Sequence, residues 1–145
     1  MAQELWQKHA PVGGIAEGTP YMMASFYEDT SGITLTLRRD NYRADKSTKL
    51  KIFFKGPIIL YRKTNDSLSV LAVNAGNVDY GPDIGKAVFY KVTNSQLIAR
   101  IRQSSLCAEL LKINLMHFVL YEIDSEVVVI VMHEPQVEWI ELESL

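Results

Sequence analysis

Short runs in which apolar and polar residues alternate are the feature that most constrains the fold of this chain. Ile33, Leu35 and Leu37 alternate with two threonines and an arginine, and residues 49–52 repeat the pattern with lysine and apolar side chains. A period of two puts every second side chain on the same side of the backbone, which is typical of a β-strand with one face in water. The chain is therefore predicted to fold around a sheet.

Further β-rich runs, separated by Gly, Pro, Asn and Asp, predict the rest of this sheet. They cover residues 21–27, 58–61, 68–73, 87–92, 116–123, 126–133 and 137–140. Both faces of the pair 116–123 and 126–133 are apolar, so these two strands are expected at the centre of the sheet. If Asp124 and Ser125 form the loop between them, Val119 is expected to face Ile130. Pro135 predicts that the last strand lies at an edge.

The spacing of apolar residues becomes helical after residue 94. Leu97, Ile98 and Ile101 recur at helical intervals, and either Asn94 or Ser95 can cap the start of this main helix. Residues 2–9 predict a short N-terminal helix. The predicted fold class is α+β, with roughly six to eight strands in one largely antiparallel, twisted sheet. The main helix is expected on one face and the short helix on the other.

Length and composition bound the organisation of the chain. Its 145 residues fit a single domain, residues 1–145. The composition, with 48% hydrophobic and 22% charged residues, excludes a disordered chain. The first ten residues contain Glu4 and Lys8 and no apolar run, which predicts that there is no signal peptide. The apolar run Val127 to Met132 is too short to span a bilayer. We therefore expect a cytoplasmic protein without a membrane segment.

Residues that could carry chemistry are few. The lone cysteine, Cys107, sits among apolar neighbours and is expected to be a small buried side chain. His117 and His133 lie near the ends of paired strands, but the expected pairing directs their imidazoles to opposite faces, and a third metal ligand is missing. No nucleophile elbow and no phosphate-binding glycine loop occurs. The sequence predicts neither an enzyme nor a bound metal or other cofactor.

Charge is distributed unevenly along the chain. Nine basic residues fall between Arg38 and Lys63, whereas eight acidic residues follow from Glu109 onward against one lysine. The basic half also holds the aromatics Tyr42, Phe53, Phe54 and Tyr61. Cations with aromatics suit nucleic-acid binding, although the strand-like alternation and a pI of about 5.9 argue against it. Nucleic-acid binding through residues 38–63 is kept as an alternative.

The C-terminal half carries a family resemblance. The run Phe89–Ser95 leads into Leu97–Ile101, followed by His117–Tyr121, Asp124, the valines 127–129 and Glu134-Pro135. This pattern resembles small bacterial proteins, several of which are similar to the immunity partners of polymorphic or contact-dependent growth-inhibition toxins. The resemblance implies a chain that binds and blocks a cognate toxin domain without any catalytic group. Against a nuclease toxin, an acidic surface could mimic the phosphate backbone.

The C-terminal strand supplies the predicted partner-binding residues. These are Glu134, Glu138, Trp139, Glu141 and Glu143, with the tryptophan as a possible anchor. Strand geometry directs Glu138 to one face and Trp139 with Glu141 to the other. In the alternative interpretation, Trp139 belongs to the core and the glutamates only keep an edge strand hydrated. A small-ligand-binding domain or an unrecognised enzyme is a further alternative, which would require a deep apolar pocket with converging polar groups.

Overall fold

The computed structural model describes residues 3–13, 15, 21–39, 48–64, 78–79, 88–104, 112–122 and 125–141. Within these residues the chain forms ten strands and one helix. The elements are β1 Glu4–Lys8, β2 Tyr21–Asp29, β3 Gly32–Arg39, β4 Thr48–Lys55, β5 Ile58–Thr64, β6 Val78–Asp79, β7 Phe89–Thr93, α1 Gln96–Ser104, β8 Met116–Tyr121, β9 Glu126–Val131 and β10 Gln136–Glu141.

The strands form two sheets, so the expected α+β fold with one sheet is wrong. One sheet has six strands in the order β5-β9-β8-β7-β1-β6, and the other has four in the order β10-β4-β3-β2. All described pairs are antiparallel except β1 with β6. The molecule is mostly β because the alternating runs all become strands while one helix is described. Alternation shows that a strand has a buried face, but it does not show which sheet the strand joins.

The main core lies between the two sheets. Every second side chain of β3 and β4 points inward and meets the inner side chains of β7, β8 and β9. Phe54 of the four-stranded sheet packs against Phe118 of the six-stranded sheet, with ring centroids 5.8 Å apart. The fully buried members from β3, β4, β8 and β9 are Ile33, Leu35, Leu37, Leu50, Ile52, Phe54, Phe118, Val127, Val129 and Val131. Such interdigitation of two inner faces is the core of a β-sandwich.

Helix α1 covers the outer face of the six-stranded sheet. Leu97, Ile98 and Ile101 pack in one cluster with Ile130 of β9, while Val129 of the same strand faces the other sheet. The expectation that β8 and β9 are covered on both sides is confirmed. The helix begins as predicted, because the Ile98 N–H donates to Ser95 Oγ at 3.1 Å, which makes Ser95 the N-cap.

The predicted N-terminal helix is wrong, because residues 4–8 form strand β1. This strand pairs with β7 and places Trp6 in a buried cluster with Tyr90 and Val92. The Glu4 carboxylate accepts hydrogen bonds from the Gln96 N–H at 2.8 Å and from Trp6 Nε1 at 3.2 Å. Five residues offer too short a pattern to distinguish helix from strand, and tertiary pairing decides the outcome.

The hairpin between β8 and β9 is shifted by two residues from the predicted register. Glu122 N donates to Ser125 O at 3.0 Å, so the turn closes one residue earlier and Val119 faces Val128 instead of Ile130. A shift of two leaves every side chain on its predicted face, because side chains alternate with a period of two. The predicted strand 68–73 and Cys107 lie outside the described residues.

Candidate functional site

The outer side of the four-stranded sheet is the candidate binding surface, which we call the open face. Strand registers align its side chains in rows across the sheet. No helix or strand of the described residues covers these rows. The open face consists of Met22, Ser25 and Tyr27 from β2, Thr34, Thr36 and Arg38 from β3, Lys49, Lys51 and Phe53 from β4, and Gln136, Glu138 and Ile140 from β10.

The alternation noted in the sequence builds this face directly. Since Ile33, Leu35 and Leu37 are fully buried against the other sheet, the intervening Thr34 and Thr36 must point outward. Two chemically different rows result. One row joins Tyr27, Thr34, Phe53 and Gln136, and the next joins Ser25, Thr36, Lys51 and Glu138.

Apolar and cationic groups are mixed on the open face. Tyr27 is 62% exposed, which is unusual for a large aromatic side chain. Arg38, Lys49 and Lys51 stand against the carboxylate of Glu138, which pairs with Lys51 at 3.7 Å. The end row of the same sheet adds one acid and one base, Asp29 and Lys55. A shallow depression of about 250 Å³ lies at the centre and includes Phe53 in its wall. Its open, polar shape differs from the deep apolar pockets that hold small ligands, so the face fits a macromolecular surface better.

The structure separates the glutamates that were predicted to bind a partner. Glu138 lies on the open face. Glu134 follows β9 and forms an ion pair with Lys91 of β7, while its other oxygen lies 3.7 Å from His9 Nε2. Glu141 is exposed and lies on the same side of β10 as Trp139, and Glu143 lies outside the described residues.

Trp139 is engaged within the molecule. Its half-buried ring packs against the core between the sheets, and its Nε1 donates to Gly13 O at 2.7 Å. The tryptophan and Glu138 alternate along β10, so they point to opposite sides of the sheet, as the strand geometry required. The four predicted residues that the structure describes therefore do not form one surface, and among them Glu138 meets the open face.

The basic half of the chain is also divided by the fold. Lys49 and Lys51 reach the open face together with Phe53, whereas Phe54 is fully buried in the core. Tyr61 lies on β5 of the other sheet, 41% exposed, with its ring centroid 5.7 Å from that of Phe26. Tyr42 lies outside the described residues. Alternation in the sequence separates Phe53 from Phe54, and this was the available signal for the open face.

A buried histidine lies on the outer face of the six-stranded sheet. Ser95 Oγ is 2.7 Å from His117 Nδ1, and the buried Nε2 has no hydrogen-bond partner. Burial, with a smaller contribution from the charge of Arg62, lowers the pKa of His117 to about 4. The imidazole is therefore neutral at pH 7. His133, in contrast, is exposed.

Glu126 is a second buried ionisable group, and no pattern in the sequence indicates its burial. It is fully buried at the start of β9. Burial raises the pKa of Glu126, and Tyr121 and Arg62 partly offset that effect. Where β8 pairs with β9, Glu126 faces Tyr121 at one end of the two strands, and His117 faces Ile130 near the other end. The two groups therefore do not converge as an acid–base pair.

Two further observations concern the described part of the chain. No three histidine, cysteine, aspartate or glutamate side chains within it lie close enough to hold a metal ion. No helix in the same ranges is long and apolar enough to cross a membrane.

Comparison of the chain with protein-family models, curated proteins and solved structures finds no significant match. The likeness to immunity proteins therefore stays a prediction.

Proposed function

We propose that this chain is a cytoplasmic immunity protein that binds a cognate toxin domain through the open face and blocks it. The observation that supports this most is a four-stranded sheet whose inner β3 and β4 side chains are fully buried, while its outer side exposes Tyr27 and carries Arg38, Lys49 and Lys51. The family resemblance of the C-terminal half adds to it. Blocking a toxin needs a surface and no catalytic group.

The chemistry of the open face suits a protein interface. Interfaces combine a few aromatic or arginine anchors with a polar rim, and Tyr27, Phe53 and Arg38 are side chains of that kind. Stable complexes bury about 800 Å² on each partner, which is more than a four-stranded sheet face offers. The open face would form the centre of the interface, and neighbouring residues would form its rim.

Charge identifies the kind of toxin surface that fits. Arg38, Lys49 and Lys51 give the face a positive excess, because the carboxylate of Glu138 is paired with Lys51. We therefore propose an acidic contact surface on the toxin, which would accelerate association over long range. A phosphate mimic directed at a nuclease cleft would need several carboxylates on one surface, and the fold separates Glu134, Glu138 and Glu141.

Growth protection tests this proposal. The chain would be co-expressed with a candidate toxin domain encoded by a neighbouring gene, and cell growth would be followed. Wild type should restore growth, and the double variant Lys49→Glu with Lys51→Glu should not. The matched control is Arg100→Glu with Lys112→Glu, which reverses two exposed cations away from the open face. Failure of the wild type to protect, or full protection by the open-face variant, would overturn the proposal.

Single-stranded nucleic acid is a second candidate for the same face. Tyr27 and Phe53 flank Thr34 in one row, and Lys51 lies in the next, so stacking groups and phosphate contacts are side by side. Fluorescence anisotropy with a labelled 15-nucleotide uridine strand distinguishes the two candidates. Binding that weakens steeply with salt and is lost in Lys49→Glu with Lys51→Glu supports a nucleic-acid function. Absence of binding at low salt excludes it.

A further inference from the structure

We infer that the free edge of β2 is a self-association site, at which β2 of one copy pairs antiparallel with β2 of a second copy. The two four-stranded sheets would become one sheet of eight strands. In the described part of the chain β2 has β3 as its one strand neighbour, so its other side has no strand partner there. This inference does not depend on the identity of any toxin.

The backbone of β2 is oriented for such pairing. Met23 N donates to the Glu122 carboxylate at 2.9 Å, so the polar backbone groups of Met23 point away from β3. Met23 faces Leu37, and Phe26 faces Leu35 two residues along β3. Backbone groups alternate in direction along β3, so those of Leu35 and Leu37 are oriented alike. Phe26 faces Leu35 and must therefore, like Met23, point its N–H and C=O to the free edge. The same argument applies to Glu28, which faces Ile33.

The side chains of β2 complement themselves in one register. A bulge between Met23 and Ser25 changes which side chains share a face, so Met22 and Tyr27 lie outward while Met23 and Phe26 lie inward. If Met22 faces Tyr27 of the second copy, then Met23 faces Phe26, and each pair lies on one side of the joined sheet. Met23 and Phe26 are also the residues whose backbone groups point to the edge. Hydrogen bonding and apolar pairing thus agree on the same register.

Space and charge at the edge are consistent with a second strand. An open groove of about 380 Å³ runs along residues 22–26 and is closed on its far side by Lys63, Glu122 and Ser125. The Arg38 guanidinium lies 3.2 Å from Met22 Sδ, beside the position that Tyr27 of the second copy would take. A guanidinium next to a tyrosine ring gains cation–π energy. The pairing would also cover Tyr27, which is 62% exposed in the single chain.

The expected dimer is weak and reversible. Pairing of one strand per copy buries less than the roughly 1,200 Å² of a standard interface, and Glu122 must release the Met23 N–H to the new strand. The two open faces would lie on the same side of the joined sheet. Dimerisation would therefore present two partner-binding faces together, and a bivalent partner would gain avidity.

Analytical ultracentrifugation of the whole chain tests this inference. Between roughly 10 µM and 1 mM the average mass should rise from one copy toward two. Tyr27→Lys, which brings a lysine next to Arg38 of the second copy, should weaken association about tenfold or more. Ile140→Lys is the matched control, because it adds the same charge to the open face at the opposite edge strand. Circular dichroism would verify that both variants fold.

Amide hydrogen exchange gives an independent measurement. Exchange at Met23, Phe26 and Glu28 should slow as the concentration rises, while exchange in β10 should not change. A monomer across the whole concentration range would overturn the inference. So would a Tyr27→Lys variant that associates like wild type, or an Ile140→Lys variant that loses association. Because no toxin is present, failure here leaves the proposed function to be judged by its own experiment.

Discussion

The hydroxyl of Ser95 joins the start of helix α1 to the six-stranded sheet, since it accepts a hydrogen bond from Ile98 N at 3.1 Å and lies 2.7 Å from His117 Nδ1. A serine hydroxyl has one proton and two acceptor sites. With Ile98 donating to it, the hydroxyl keeps its proton and one acceptor site, so it can donate to or accept from Nδ1 of a neutral His117. Burial lowers the pKa of His117 to about 4. The neutral form of His117 is therefore the form that the fold binds.

Ser95→Ala should destabilise the chain by about 1–2 kcal/mol, because it removes the helix cap and leaves His117 Nδ1 without its buried partner. Urea unfolding measures the free energy. Ser104→Ala is the matched control, since that serine is exposed and bonds the Arg100 carbonyl within the helix. Equal effects of the two changes would show that the contact of Ser95 with His117 contributes nothing.

Stability should fall as the pH drops from about 6.5 to 4 because of His117. Its pKa is lowered to about 4 in the folded chain, so the unfolded chain binds a proton first in this window. The difference approaches 3 kcal/mol, at roughly 1.4 kcal/mol per unit. His117→Gln should remove this part of the pH dependence, while His133→Gln, at an exposed position, should leave it intact. An unchanged curve in His117→Gln would contradict the assignment.

Glu126→Gln should stabilise the chain at pH 7 by about 1 kcal/mol, because ionising a buried carboxyl is costly and Tyr121 and Arg62 offset only part of that cost. Because the pKa of Glu126 is raised, this cost grows as the pH rises above about 4.5. Glu126 therefore lowers the stability as the pH rises, whereas His117 lowers it as the pH falls. The gain should therefore be largest at neutral pH and vanish in acid. Glu138→Gln, on the open face, is the control. A stability loss in Glu126→Gln at pH 7 would show that the carboxylate is needed.

Particular residues show what the sequence could predict. Strand alternation placed Ile33, Leu35 and Leu37 inside, because a buried face imposes a period of two. Pro135 identified β10 as an edge strand. Helical spacing and the Ser95 cap located α1. The division into two sheets depends on long-range pairing, which alternation does not encode. For the same reason, the short run around Trp6 predicts a helix where pairing with β7 produces a strand.

The candidate site was less predictable than the core. Clustering in sequence grouped Glu134, Glu138 and Trp139, but the turn after β9 and the alternation of β10 send them to three environments. Glu126 begins a strand after a polar turn, where a glutamate is normally hydrated. In the fold it lies between Tyr121 of β8 and Thr64 of β5. Contacts of this kind depend on packing between elements distant in sequence.

Leu120→Ala should cost about 2–4 kcal/mol, because Leu120 is almost fully buried between the sheets. Thermal or urea unfolding measures the loss. Ile140→Ala is the control, since it removes a partly exposed aliphatic side chain from the open face. A negligible loss at Leu120 would mean that the β8–β9 hairpin is peripheral to the fold.

The association rate of the chain with its toxin domain, measured against salt concentration for single charge reversals, tests the central claim most directly. Lys51→Glu on the open face should slow association several-fold and flatten its salt dependence, because it removes part of the field that attracts an acidic partner. Glu141→Lys, on the other side of β10, should change neither. The opposite pattern, with Lys51→Glu silent and Glu141→Lys slowing association, would contradict the account and place the interface on the far side of the C-terminal strand.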